Sequence, residues 1–425
     1  MTRALLLATG PWQGEPGARA FGPTIRARQF AGPLLKAGVE LSVVLLEDAP
    51  RPRAAVPGTR RAMALDPGRI LDPGRIWRGK GPPPFDAVLG VGSLMPAAAA
   101  ARFGARFRIP AWVDLFGDPL AEWHAEATAS GSADRVQKDH VWKLQREALL
   151  SGDAFSVVSQ PQASALLGML LLLGRVDGAP APHRRIHRIP VAAPESWSTG
   201  EPPPRPAALG DGGPLVAVTG TWTPWLDGAA MGETLAALLD ADPAARVVVL
   251  AAGESPGGAA ARAAFDAALL PHAGRVLQLG PGECPEDALL AHAAALLLVD
   301  KDLPETRLGA RNRLLAAARW GTPVVSTPFS ETAREMADAG LAQTGLTTAE
   351  RVAALRNVVA EAPQARAARR RMGRAWLKTQ EFAQTLQPVL AWLRAPTRWE
   401  GGPATGSLQA GWASLAADPV RIFGA

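Results

Sequence analysis

Short, nearly continuous apolar runs recur along the chain, separated by stretches whose apolar residues fall at helical spacing. Residues 4–8, 41–46, 86–91, 111–115, 154–159 and 185–191 read as strands in the first half. Residues 215–219, 246–250, 275–279, 296–299 and 323–326 read as strands in the second. Between them, 24–37, 139–150 and 161–173 predict helices, as do 229–239, 259–269, 311–320 and 331–339. Pro33 should bend or end the first of these. Strands without polar alternation, interleaved with helices, imply parallel sheets covered on both faces. Residues 50–84, rich in Pro, Arg and Gly, read mostly as loop, as does glycine-bearing 14–22. Residues 193–213 hold three consecutive prolines and clustered glycines, which marks a linker. The pattern therefore predicts an α/β chain of two Rossmann-like domains facing a central cleft, lined by the carboxyl ends of the strands. A helix over 364–394 and an irregular tail over 396–425 complete it.

Composition narrows the chemistry. The chain of 425 residues has 13 Trp and no Tyr, so no mechanism can use a tyrosine hydroxyl. Lysine supplies six of its 45 cations, so arginine carries nearly all the positive charge. One cysteine, Cys284, excludes an intrachain disulfide and a Cys-rich zinc site. The six histidines show no metal-ligand spacing, and no metal is expected. The N-terminus lacks a signal-peptide core. The longest apolar stretch, 165–173, is half a membrane span and reads as a buried helix. The expected location is cytoplasmic. Arg366, Arg369, Arg370, Arg371 and Arg374 form a dense basic cluster. A solvated helix face explains it first, peripheral contact with an anionic membrane second; no nucleic-acid-binding pattern accompanies it.

The most informative segment is 300–326. It gathers Glu305, Thr306, Arg307, Arg311 and Arg313 around a helix start and runs into a Gly-Thr-Pro-Val-Val strand. Free N–H groups and a positive dipole end suit a phosphate there, and arginines add charge-assisted contacts. An exposed Arg-rich helix start would give the same residues. Asp114 and Asp118, in Asp-Leu-Phe-Gly-Asp, read as a carboxylate pair or as a loop in which Asp118 caps a helix. Glu122, Trp123 and His124 follow at helical spacing. Trp222 and Trp225 are suited to stacking a base or sugar, or to core packing. Glu254 follows a strand and can reach a base edge or solvent.

Glu305-Thr306-Arg307, Arg311-Asn312-Arg313 and the Gly321–Val325 strand resemble the donor signature of GT-B glycosyltransferases of the retaining family 4 kind. Other segments agree in order. Gly22-Pro23-Thr24-Ile25-Arg26 resembles the entry to the first helix, and Trp112-Val113-Asp114-Leu115-Phe116 a strand end of the first domain. Gly152-Asp153 with Leu166 to Arg175 resembles a later strand and helix, and Gly220 to Asp227 a Gly-x-x-Trp-x-Trp-x-Asp loop. The resemblance spans residues 1 to 395. It implies a GT-B fold with a first domain over 1–194, a linker over 195–212, a donor domain over 213–380, and a helix with tail over 381–425 crossing back to the first domain.

It also implies transfer of a sugar from a nucleotide-diphosphate sugar to a glycan or lipid-linked acceptor, with retention, in cell-surface polysaccharide synthesis. The nucleotide sugar is a co-substrate; no cofactor is implied. Asp114, Glu305 and Arg313 are the implied catalytic residues. Gly22, Arg26, Gly220, Thr221, Trp222, Asp227, Glu254, Thr306, Arg307 and Arg311 are implied at the donor. Two positions depart from the pattern: the usual ribose-binding acid is Ala316, and residues 222–227 hold no cation. A catalytically degenerate GT-B domain acting as a binding or scaffold protein stands as the alternative.

Overall fold

The structure is a computed structural model describing residues 2–12, 21–48, 56–132, 134–176, 181–210, 212–255, 257–280, 282–361 and 363–399. Most of the expected loop 14–22 and nearly all of the expected tail lie outside the described residues. The chain forms two compact units. Unit 1 takes the residues up to Phe116, then Trp142–Ile189, then the described chain from Pro388 to Trp399; unit 2 takes Gly117–Val141 and Pro190–Gln387. Residues 117–141, which chain order alone assigns to the first half, thus group with unit 2.

In unit 1, β1 (Arg3–Thr9), β2 (Glu40–Leu46), β3 (Arg61–Leu65), β4 (Ala87–Val91), β5 (Ala111–Leu115), β6 (Ala154–Val157) and β7 (Ile186–Arg188) form one parallel sheet. Their order is β3-β2-β1-β4-β5-β6-β7. Every residue of β4 and β5 is buried, because helices cover both faces of a parallel sheet. The order reverses between β1 and β4. There Gly92 has φ +92°, and a Cβ on it would come within 2.8 Å of the Pro23 carbonyl at the start of helix Gly22–Lys36. A side chain would push that helix off the strand ends.

In unit 2, β8 (Leu215–Trp222), β9 (Arg246–Glu254), β10 (Val276–Leu279), β11 (Ala295–Leu298), β12 (Val324–Ser326) and β13 (Ala342–Thr344) form a second parallel sheet. Its order is β10-β9-β8-β11-β12-β13, reversing between β8 and β11. The α/β architecture read from the apolar periodicity is therefore present in both units.

Four local expectations are refined or corrected. Residues 56–84 are mostly loop, as expected, with β3 and the short helices Pro67–Ile70 and Pro73–Ile76 set within them. A tandem Asp-Pro-Gly-Arg-Ile makes both helices. Asp66 and Asp72 accept backbone N–H bonds at the starts, Pro occupies the first helical position, and Ile70 and Ile76 are buried. The first helix runs through Pro33 to Lys36 with the proline buried. The stretch 165–173 lies in helix Gln160–Leu172, but Leu171 and Leu172 are exposed. No helix among the described residues is long and apolar enough to cross a membrane. The helix expected over 364–394 breaks into Pro363–Thr379, Phe382–Thr385 and Gln387–Leu393. Ala193 causes the break, because it donates to the Gln380 carbonyl and accepts from the Phe382 N–H.

Candidate functional site

The reversal between β8 and β11 is where an open parallel sheet exposes strand ends to a ligand. In unit 2 the chain places a buried group of charged side chains there. β11 is buried throughout and delivers Asp300 just past its end, with a residual exposure of 3%. The Asp300 N–H donates to Thr327 Oγ1 beyond β12 at 3.1 Å. Arg311, the residue before helix Asn312–Trp320, donates from Nε to Asp300 Oδ2 at 2.8 Å. From its terminal nitrogens it donates to Glu305 Oε1 at 3.1 Å and Oε2 at 2.8 Å. All three side chains are buried. Burial alone would lower the Arg311 pKa, but the two facing carboxylates outweigh it and raise it. Burial pushes the Glu305 pKa up, opposed by Arg311. Asp300 Oδ1 is buried with no hydrogen-bond partner among the described residues.

Arg311 is thus not free to neutralise a phosphate, because its guanidinium already serves two carboxylates. Arg307 is exposed and forms a two-bond ion pair with Asp302, at 2.6 and 2.8 Å. Arg313 is half-buried and donates to the carbonyls of Thr219 at 2.8 Å and Thr221 at 3.1 Å. It thereby fixes the loop that leaves β8. Burial lowers its pKa. Gly220, with φ +95°, lies against this guanidinium. Thr306 turns its buried hydroxyl to the Leu303 and Lys301 backbone. Ala316 is buried in the helix, so no side-chain carboxylate comes from that position.

The remaining donor-side expectations separate. Asp227 caps helix Gly228–Ala241 by accepting from the Ala230 N–H at 3.0 Å. Trp222 is a core residue, 2% exposed, packed 5.0 Å from the Phe265 ring with Arg262 over its face. Trp225 is half-buried, 6.0 Å from the Arg311 guanidinium, and so belongs with the cluster. Glu254 ends β9 and is exposed.

In unit 1, Asp114 near the end of β5 is fully buried and paired with Arg26 of helix Gly22–Lys36. Arg26 donates from Nε to Oδ2 at 3.0 Å and from a terminal nitrogen to Oδ1 at 2.6 Å. Ser156 Oγ donates to Oδ1 at 2.6 Å, and Trp112 Nε1 donates to Ser156 Oγ. Arg26 also reaches Gln29 and the Ile189 carbonyl. The expected sugar-facing Asp114 and donor-facing Arg26 are therefore satisfied by each other. Gly22 opens the helix and is half-buried. Asp118 caps helix Pro119–Ser130 in unit 2, accepting from Ala121 N–H at 2.9 Å.

The basic cluster is largely spent inside unit 2. Arg366 bonds the Ala293 carbonyl, Arg369 pairs with Glu361, Arg370 reaches the Trp320 carbonyl and Arg374 the Gly200 carbonyl. The sequence reading missed Asp300, although a lone acid directly after an apolar strand is a signal it could have used. It also missed Asp302, whose charge occupies Arg307.

The fold has solved counterparts. Sucrose-phosphate synthase from Thermosynechococcus elongatus superposes with a TM-score of 0.64 at 15% identity, covering 93% of this chain and all of that one. Anabaena HepE in complex with UDP-glucose gives 0.61 at 14% identity, covering 93% and 100%. An α,α-trehalose-phosphate synthase (UDP-forming) from Burkholderia vietnamiensis gives 0.65 at 13% identity, covering 93% and 99%. The chain therefore has the GT-B fold of two Rossmann-like domains. No family model and no curated protein matches it.

Proposed function

We propose that this protein is a glycosyltransferase that takes its sugar from a nucleotide-diphosphate donor bound at the β8/β11 strand ends of unit 2. The observation that carries the reading is Glu305, held by Arg311 in a buried network with Asp300 beyond the end of β11, at the reversal point of a sheet whose counterparts include a UDP-glucose complex. A preoriented carboxylate there accepts from donor-sugar hydroxyls. As the glycosidic C–O bond breaks, charge grows on the leaving diphosphate. The first-turn N–H groups of helix Asn312–Trp320 and the half-buried Arg313 are the groups that stabilise it. Asp114, tied to Arg26, shapes the strand ends of unit 1. The acceptor in this reading is a glycan or lipid-linked sugar, and transfer proceeds with retention.

The test is a panel of nucleoside diphosphates and their sugars, read by thermal shift and calorimetry. A ligand at a hundred times its Kd stabilises the fold by about 2.7 kcal/mol. Stabilisation by none of them would overturn the reading. Glu305→Gln should lower transfer or donor hydrolysis by about 100-fold while nucleotide binding persists. One observation favours a second reading, a domain that binds without turnover: Ala316 stands where an acid is usual, and Arg311 is committed to carboxylates. Binding by wild type with no hydrolysis or transfer to any acceptor tested would favour it.

A further inference from the structure

Glu122 stands beside the Asp300–Arg311–Glu305 cluster and has no part in the reading above. It lies in the first turn of helix Pro119–Ser130, which packs on the short helix Pro304–Leu308 that carries Glu305. The preceding turn leaves room for it: at Gly117, φ +92°, a Cβ would come within 2.5 Å of Glu122 Oε1. Glu122 is partly buried, and its side chain makes no hydrogen bond or ion pair among the described residues. The buried Asp300 Oδ1, in the neighbouring cluster, is likewise unpartnered among them.

Resting on the donor-site reading, we propose that Glu122 and Glu305 act as a pair on one ligand, Glu122 giving a hydrogen bond and Glu305 accepting one, and that they take an uncharged hexose with adjacent hydroxyls. Burial pushes the Glu122 pKa up to about 8, and the Glu305, Asp118 and Glu126 charges add to it, against Arg311. At pH 7 Glu122 is therefore a neutral acid and a donor. Glu305, bonded twice by Arg311, is the acceptor. One donor beside one acceptor matches a vicinal diol. A uronate would bring a further negative charge beside Asp118, Glu126, Asp300 and Glu305, where Arg311 is already committed.

Calorimetry with UDP-glucose and UDP-glucuronate, or the same conjugates of whichever base the panel selects, tests this from pH 6 to 9.5. Affinity for the glucose conjugate should fall about tenfold per pH unit above 8 as Glu122 ionises. Glu122→Gln, whose amide donates at every pH, should flatten that profile. The glucuronate conjugate should bind wild type at least about tenfold more weakly than the glucose conjugate. An unchanged pH profile in Glu122→Gln, or equal affinity for both conjugates, would overturn the proposal. Ligand-free melting separates this from failure of the donor reading. Glu122 favours folding below its ordinary range and loses that contribution as pH rises through 8. The Tm of Glu122→Gln should therefore gain on wild type between pH 6 and 9. A constant difference would overturn the acid role even if donors bind, whereas absence of any nucleotide binding overturns the donor reading.

Discussion

The Arg313 guanidinium occupies the space a side chain would need at Gly220, where a Cβ would come within 2.9 Å of Cζ. The same guanidinium bonds the carbonyls on either side of that glycine. Loop and arginine therefore fix each other, and Gly220 also holds a φ of +95° that side chains resist. Gly220→Ala should cost about 1–3 kcal/mol and lower nucleotide affinity, measured by denaturant midpoint and calorimetry. Unchanged values for both would remove Gly220 from the site.

Arg26 and Asp114 are both inaccessible to solvent. Breaking a buried pair leaves an unpaired charge, so Arg26→Met or Asp114→Leu alone should cost about 3–5 kcal/mol. The double variant should recover much of that loss. Urea denaturation of the three variants checks it, and additive losses would show that the two side chains are energetically independent.

Arg311 bonds two buried carboxylates, Asp300 and Glu305. In Arg311→Met the Glu305 pKa, raised by burial and held back by Arg311, must rise further, so the folded state favours its protonated form. That favour is present at low pH and lost as pH rises. The Tm deficit of the variant should therefore be smaller at pH 5 than at pH 8. An equal deficit at both would mean that the network is held by packing rather than charge.

Trp399 closes unit 1 late in the chain. Its N–H donates to Asp153 Oδ1 at 2.6 Å, and its ring meets Phe155 and the Arg175 and Arg185 guanidiniums. Trp399→Ala should destabilise by about 3–5 kcal/mol, read by thermal denaturation. A loss near zero would show that the segment merely rests on the unit.

The sequence by itself determined the α/β class and most strand positions, because a strand buried on both faces must be a continuous apolar run such as 295–298. It also singled out Glu305, Arg311, Arg313 and Gly220 as neighbours in function. Tertiary structure decided what each one does. Arg311 became a clamp because folding brought Asp300 and Glu305 to it, and charge pairing across 11 and 6 positions leaves no periodic trace. Trp222 went to the core and Trp225 to the cluster, a choice set by which side of the β8 loop faces Phe265. The short helices after β3 were hidden by their Pro and Gly, residues that read as loop until the capping aspartates and buried isoleucines show their use. Glu122 gained its environment from a helix 182 to 186 residues away in the chain, Pro304–Leu308, whose packing no local pattern records.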